Sequence, residues 1–230
     1  FVNFKRKSTM NKRRVVITGL GIVSPVGNNV KDAWTNIING VSGIAPITNI
    51  DTEAQAVKFG GAVKDFDVSK YLSAKEAKKM DIFIHYGMAA GIQAFEDSGI
   101  EVTDENAERI GVAIGAGIGG LTTIEKTADL FREKGPKRIS PFFVPSSIIN
   151  MVSGNMSIKF GLKGPNFAIF TACTTGTHNI GDASRIIEYG DADVMIAGGT
   201  EMSTTNCGLG GFAAARALST RNDDPTTASR

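Results

Sequence analysis

Four short apolar runs, set apart by stretches of helical spacing, constrain this chain more than any other feature. They occupy residues 14–19, 111–115, 166–170 and 192–199, and three of them end on glycine. Apolar runs without alternation are the mark of strands covered on both faces, as in a parallel sheet between layers of helix. Between them, Met80, Phe83, Ile84, Met88, Ile92 and Phe95 fall on one helical face; a capping box at Ser73 to Glu76 opens this helix and Ser98-Gly99 closes it. Further helices are predicted over 30–39, 121–133 and 145–160, and from Cys173 to the stop at Gly190. Residues 41–70 are expected to be loops with short strands, and 219–230 show no apolar period. The fold class that follows is α/β, a mostly parallel sheet with helices on both faces.

No linker, repeat or low-complexity segment divides the 230 residues, which suffice for one large domain or two small ones. The 42% hydrophobic and 21% charged content is that of an ordinary globular protein, and 27 glycines suit many tight strand-to-helix turns. A net charge of +2 gives no reason to expect a nucleic acid, and no run reaches the ~18 apolar residues of a membrane span. Two cysteines make no disulfide framework, so a reducing, cytoplasmic location is expected. Residues 1–12 are polar and basic and precede or surround Met10, a natural start; they are expected to be a leader or vector-derived.

Cys173 falls where the third apolar run passes into helix. Unpaired N–H groups cluster at such a junction, and the helix dipole favours an anion there, whether a thiolate or the oxyanion formed when a thiolate attacks a carbonyl. A nucleophile and a buried structural cysteine are both compatible with that position. A second feature, Gly115-Ala116-Gly117-Ile118-Gly119-Gly120, fits GxGxxG between strand and helix, with Glu133 in the region of an acidic ribose ligand. In so glycine-rich a chain the match is weak by itself. His178 lies five residues after Cys173, about 140° around a helix axis, which suits a structural hydrogen bond better than contact with the thiol. His85 is expected to be half-buried and structural. Cys207 lacks a strand-to-helix context and is assigned a structural role. No residue cluster has metal spacing.

The segment TACTTGTHNIG at 171–181 resembles the active-site segment of the β-ketoacyl-[acyl carrier protein] synthases, condensing enzymes of the thiolase superfamily. The likeness continues through RRVVITGLGIVSPVGN at 13–28, GIGG at 117–120, SPFFVPS at 140–146, DADVMIAGGTE at 191–201 and GGFAAARALSTRND at 210–223. Within the family the pattern is closest to the class II synthases of fatty-acid elongation. The resemblance implies a thiolase-like fold, with residues 13–230 as the N-terminal half-domain of a five-layered αβαβα architecture. The fifth strand of the sheet and the C-terminal half would lie beyond Arg230. The sheet order implied is 3-2-1-4-5, which puts the 14–19 strand between those at 111–115 and 192–199, and the 167–172 strand at an edge.

The chemistry implied is a decarboxylative Claisen condensation in fatty-acid chain elongation. The Cys173 thiolate would accept an acyl group, and the enolate left when malonyl-[acyl carrier protein] loses CO₂ would attack that thioester, with the Cys173 N–H in the oxyanion hole. Family members carry two catalytic histidines, a lysine and a gating phenylalanine in their second half, so residues 1–230 alone are expected not to condense. Gly117 and Ile118 would lie along the acyl pocket. Lys75, Lys78, Lys79, Lys137, Arg138 and Arg216 would border the entrance at which an acidic carrier docks; Lys75, in the first turn of its helix, opposes the dipole and is not explained by helix stability. No metal or other cofactor is implied. The partners expected are the carrier protein and a second copy of the chain, paired through the edge strand, with neither nucleic acid nor membrane. Two rivals remain: a nucleotide-binding oxidoreductase using Gly115 to Gly120, and a non-catalytic chain-length-factor-like partner, a class that lacks the cysteine.

Overall fold

A computed structural model describes residues 12–228, in which α1 (Val30–Ile38) is followed by a two-residue antiparallel pair, β1 (Ala45–Pro46) and β2 (Phe59–Gly60). Next come α2 (Ala74–Ala77), α3 (Ile82–Ser98), β3 (Ile110–Ala116), α4 (Leu121–Lys134), α5 (Phe143–Ser147) and α6 (Met151–Phe160). The chain ends through β4 (Asn166–Phe167), α7 (Thr175–Tyr189), β5 (Val194–Thr200) and α8 (Asn206–Ala214). Apart from Lys12, residues 1–12 and the expectation attached to them lie outside the described residues.

β3 is the axis of the main sheet. It runs parallel to β4 on one side, where Val112 and Ala113 meet Asn166 and Phe167, and to β5 on the other, over all seven residues from Ile110 to Ala116. Helices α3 and α6 cover one face and α7 the other, so every residue of β3 is buried. Its unbroken apolar run is the consequence of that position. Phe83, Ile84 and Met88 of α3 meet Val112 of β3 and Val152 and Met156 of α6 in the main core, each at most 1% exposed. Burial of each such side chain stabilises the fold by about 1.5–3 kcal/mol.

The sheet order differs from the expectation. The full register between β3 and β5 leaves no place between them for residues 14–19. That segment is not a strand but an extended stretch outside the ladder, with Val16 and Ile17 exposed at 59% and 80%. It is tied at one end by ion pairs, Lys12 to Glu188 and Arg13 to Asp193. At the other end, side chains of α3 take its N–H groups: Asp97 accepts from Leu20 at 2.9 Å and Gln93 from Ile22 at 3.2 Å.

Three other elements are shorter than predicted, each because a side chain or a turn claims a backbone group the longer element would use. The helix opened by the capping box stops at Ala77, and Asp81 caps a separate helix, α3. The helix predicted over 145–160 breaks after α5, where the Ser147 carbonyl accepts from the Gly120 N–H at 3.0 Å. The third strand leaves the ladder after Phe167: the buried Ser153 hydroxyl accepts from the Ile114 N–H (2.8 Å) and donates to the Phe167 carbonyl (2.9 Å). Beyond it, the Asn179 amide takes both backbone groups of Ile169.

Candidate active site

Cys173 lies in a single 3-10 turn, Ala172–Thr174, that feeds directly into α7, and its side chain is exposed. The buried structural alternative for this thiol is therefore excluded. Ala172 just before it has φ 51, a left-handed conformation that costs a residue with a Cβ about 1–2 kcal/mol. Such strain persists only where the surroundings over-determine it. Here Asn179, 0% exposed, donates to the carbonyls of Ile169 (3.1 Å) and Thr175 (2.9 Å) and accepts from the Ile169 N–H (3.0 Å). The Thr175 hydroxyl accepts from the Thr171 N–H at 3.0 Å. His178 makes the structural hydrogen bond expected of it, through Nδ1 to the Thr171 hydroxyl at 2.8 Å. His85 is half-buried, with Nε2 at 2.9 Å from the Ala77 carbonyl.

The start of α7 is seated on β5 backbone to backbone. A Cβ on Gly199 would meet the Gly176 Cα at 2.8 Å, so the close approach requires glycine there. This contact places Cys173 over the C-terminal ends of β3 and β5, beside a cavity of about 460 Å³. Cys173, Gly117 and Ile118 line that cavity together with Thr200, Glu201 and Phe212. Among the described residues the Cys173 N–H has no hydrogen-bond acceptor, whereas the next amide, of Thr174, bonds to the Thr171 carbonyl at 3.1 Å. Of these residues, Glu201, Phe212 and Asn179 had no role assigned from sequence. Glu201 closes the apolar strand run with a single acid, and Asn179 is a polar residue on the apolar face of a predicted helix; these were the available signals.

The glycine turn is not open to a phosphate. The Glu201 carboxylate accepts from the N–H groups of Ile118 (2.6 Å) and Gly119 (3.3 Å), Asp81 accepts from Thr123 (2.7 Å), and Gly120 donates to Ser147. Amides that would cradle a dinucleotide are thus held by the protein's own carboxylates, and Glu133 stands exposed in the last turn of α4. This overturns the oxidoreductase alternative.

The cations predicted at the entrance do not share one helix. Lys75 lies in the four-residue α2, Lys78 is its C-cap and Lys79 follows it. Lys75 stays in the first turn of α2, against the dipole, whereas Lys78 and Lys79 sit at the helix C-terminus, where a cation is favoured. Lys79 stacks over the Phe142 ring at 4.9 Å, which brings this cluster toward Lys137 and Arg138 in the 3-10 turn Pro136–Arg138. Arg216, just past α8, is exposed with φ 57. Among the described residues none of the six forms a salt bridge.

Cys207 departs from its expected role. It lies in the first turn of α8, after β5, and is exposed rather than buried. Its N–H donates to Glu125 at 2.8 Å, and the Glu125 carboxylate, with a smaller effect of burial, pushes its thiol up. A strand-to-helix position is thus shared by both cysteines, and a neighbouring carboxylate suppresses one of them.

The family of Beta-ketoacyl synthase, N-terminal domain, matches residues 12–230. This chain belongs to that family. This chain is 60% identical over 221 residues to 3-oxoacyl-[acyl-carrier-protein] synthase 2 of Vibrio harveyi, covering 96% of this chain and 53% of the relative. It is 49% identical over 223 residues to the protein of the same name from Synechocystis, covering 97% and 54%. A crystal structure of a β-ketoacyl synthase from Burkholderia phymatum superposes with a TM-score of 0.83 at 26% identity, over 95% of this chain and 54% of that one. A type II polyketide ketosynthase, in complex with its acyl-carrier protein and bound to a hexaketide, gives a TM-score of 0.75 at 25% identity, over 87% and 54%. The fold is that of the thiolase-like ketosynthases, and the chain spans about half the length of the curated relatives it matches.

Proposed function

We propose that this chain is the acyl-accepting half of a β-ketoacyl-[acyl carrier protein] synthase that elongates fatty acids. The observation that carries the reading is Cys173: an exposed thiol on a strained, fully braced turn at the start of α7, beside a cavity of about 460 Å³. Its thiolate attacks the carbonyl of an acyl thioester; the C–S bond to Cys173 forms as the pantetheine thiolate leaves and takes up a proton. Exchange of one thioester for another costs little free energy. The malonyl thioester then loses CO₂, and its enolate carbon attacks the Cys173 thioester. A C–C bond forms, the C–S bond breaks and the Cys173 thiolate is regenerated. The Cys173 N–H stabilises the oxyanion in both additions. Gly117 and Ile118 line the acyl channel.

Docking of an acidic carrier protein at Lys75, Lys78, Lys79, Lys137, Arg138 and Arg216 belongs to the same proposal. It is supported by the exposure of all but the half-buried Lys79, by the Lys79–Phe142 contact and by the carrier complex of the polyketide relative. So does a homodimer through the sheet edge at β4, beyond which Phe170, outside the ladder, is 60% exposed. A cytoplasmic setting is part of this reading; among the described residues no helix is long and apolar enough to cross a membrane. The test is intact-mass and peptide mapping after exposure to an acyl thioester. One acyl group on Cys173 is expected, and acylation of Cys207 instead would refute the assignment.

A further inference from the structure

We infer that Glu201 is a positioning residue that sets acyl-chain selectivity by holding the turn on which Ile118 stands; this rests on the proposed function of the Cys173 cavity. Glu201 closes β5, on the opposite side of the cavity mouth in sequence terms from the Gly115–Gly120 turn, yet its Oε2 accepts from the Ile118 N–H at 2.6 Å and its Oε1 from the Gly119 N–H at 3.3 Å. Glu201 and Ile118 both line the cavity beside Cys173. The turn is built to admit this carboxylate. A Cβ on Gly117 would lie 2.9 Å from Oε2, and Gly119 has φ +93, which residues with a Cβ rarely adopt. Gly117 is thus explained by an internal acid rather than by a phosphate, while Gly115 and Gly120 pack against the backbone of Ile169 and Ser147.

The Ile118 side chain, 42% exposed, is the bulkiest aliphatic group on the cavity wall, and its backbone is fixed by one charge-assisted hydrogen bond. With the backbone held, Ile118 can clear the channel only by rotating its side chain. With the carboxylate weakened, the whole turn withdraws and a longer chain enters more readily. Glu201→Gln leaves one acceptor oxygen for the three N–H donors of Ile118, Gly119 and Met202 and turns an NH₂ group toward the rest. The selectivity ratio for long over short chains then rises.

The experiment measures acylation of Cys173 by intact mass with hexanoyl and tetradecanoyl thioesters, in the complete chain. The parent, Glu201→Gln, Ile118→Ala and the double variant are compared. Glu201→Gln is expected to raise the tetradecanoyl-to-hexanoyl ratio by roughly fivefold or more. In the Ile118→Ala background the same change is expected to leave the ratio unaltered, because the side chain through which it acts is gone. Should Glu201→Gln fail to fold, Glu201→Asp, which withdraws the carboxylate by one methylene, is expected to move the ratio in the same direction. Equal losses with both substrates, or a shift that persists without Ile118, would overturn the inference alone. A parent chain that takes up neither acyl group would overturn the proposed function and this inference with it.

Discussion

Replacing Asn179 by alanine should cost this protein far more than its position on a helix suggests. Asn179 is wholly buried, and its amide makes three hydrogen bonds, two to the Ile169 backbone beyond β4 and one to the Thr175 carbonyl at the start of α7. Each is worth about 1 kcal/mol net, and the alanine leaves the part-buried Ile169 N–H and carbonyl without their side-chain partner. A loss of about 3 kcal/mol follows, to which the small cavity adds. Urea unfolding followed by circular dichroism would show it as a fall in midpoint of about 1 M or more. Asn39→Ala is the control: Asn39 is exposed and makes a single side-chain bond, to the Thr35 carbonyl at 2.8 Å, so its midpoint should move little. Equal midpoints for the two variants would refute the claim that Asn179 braces the Cys173 turn.

Three other perturbations test other parts of the molecule. Iodoacetamide at pH 8 should label Cys173 before Cys207, and Glu125→Gln should speed labelling of Cys207 at least about threefold by removing the charge that pushes its thiol up; an unchanged rate would rule out that charge as the cause. Asp193 is held at about 2 by hydrogen bonds from Arg109 and then Arg13. Because that value lies below the ordinary 3.8, the stabilisation is present above pH 3.8 and disappears as pH falls through about 2; solvent screening keeps it small, since the side chain is 48% exposed. An NMR titration midpoint near 3.8 would contradict it, and Asp193→Asn at neutral pH should hasten tryptic cleavage after Arg13. Finally, Lys75, Lys78 and Lys79 changed together to Glu in the complete enzyme should raise KM for acyl-carrier substrates while sparing acyl-CoA surrogates; equal losses with both would show that these lysines serve the fold.

The elements legible in the sequence were those whose own residues decide them. The unbroken apolar run of β3 and the capping box at Ser73 and Glu76 needed no distant partner to be recognised, and both are present. Cys173, Gly117 and Ile118, proposed together from a resemblance, do meet at one cavity. What escaped were boundaries set by long-range hydrogen bonds. Nothing near Phe167 announces that a serine on α6 will end its strand, and nothing near Ala77 announces that Asp81, bonded also to Thr123, will start a new helix. Residues 14–19 are apolar enough for a strand, but strand character also needs a neighbour, and β3 and β5 pair with each other instead. Glu201 was hidden for the same reason: its partners lie more than eighty residues earlier in the chain.

The seating of Gly176 on Gly199 has a consequence for the order in which the molecule assembles. Cys173 leaves the ribosome before any residue of β5 does, and until that strand pairs with β3 the start of α7 has no surface to rest on. Contacts of such long sequence separation form only after their loop closure has been offset by other pairing, so they come late. The thiol therefore exists for a time as an ordinary cysteine on a nascent chain, without its wall of Ile118, Glu201 and Phe212. Its reactivity toward a bulky, acyl-shaped reagent, compared with a small one, would report how far the sheet has closed, residue by residue, during folding.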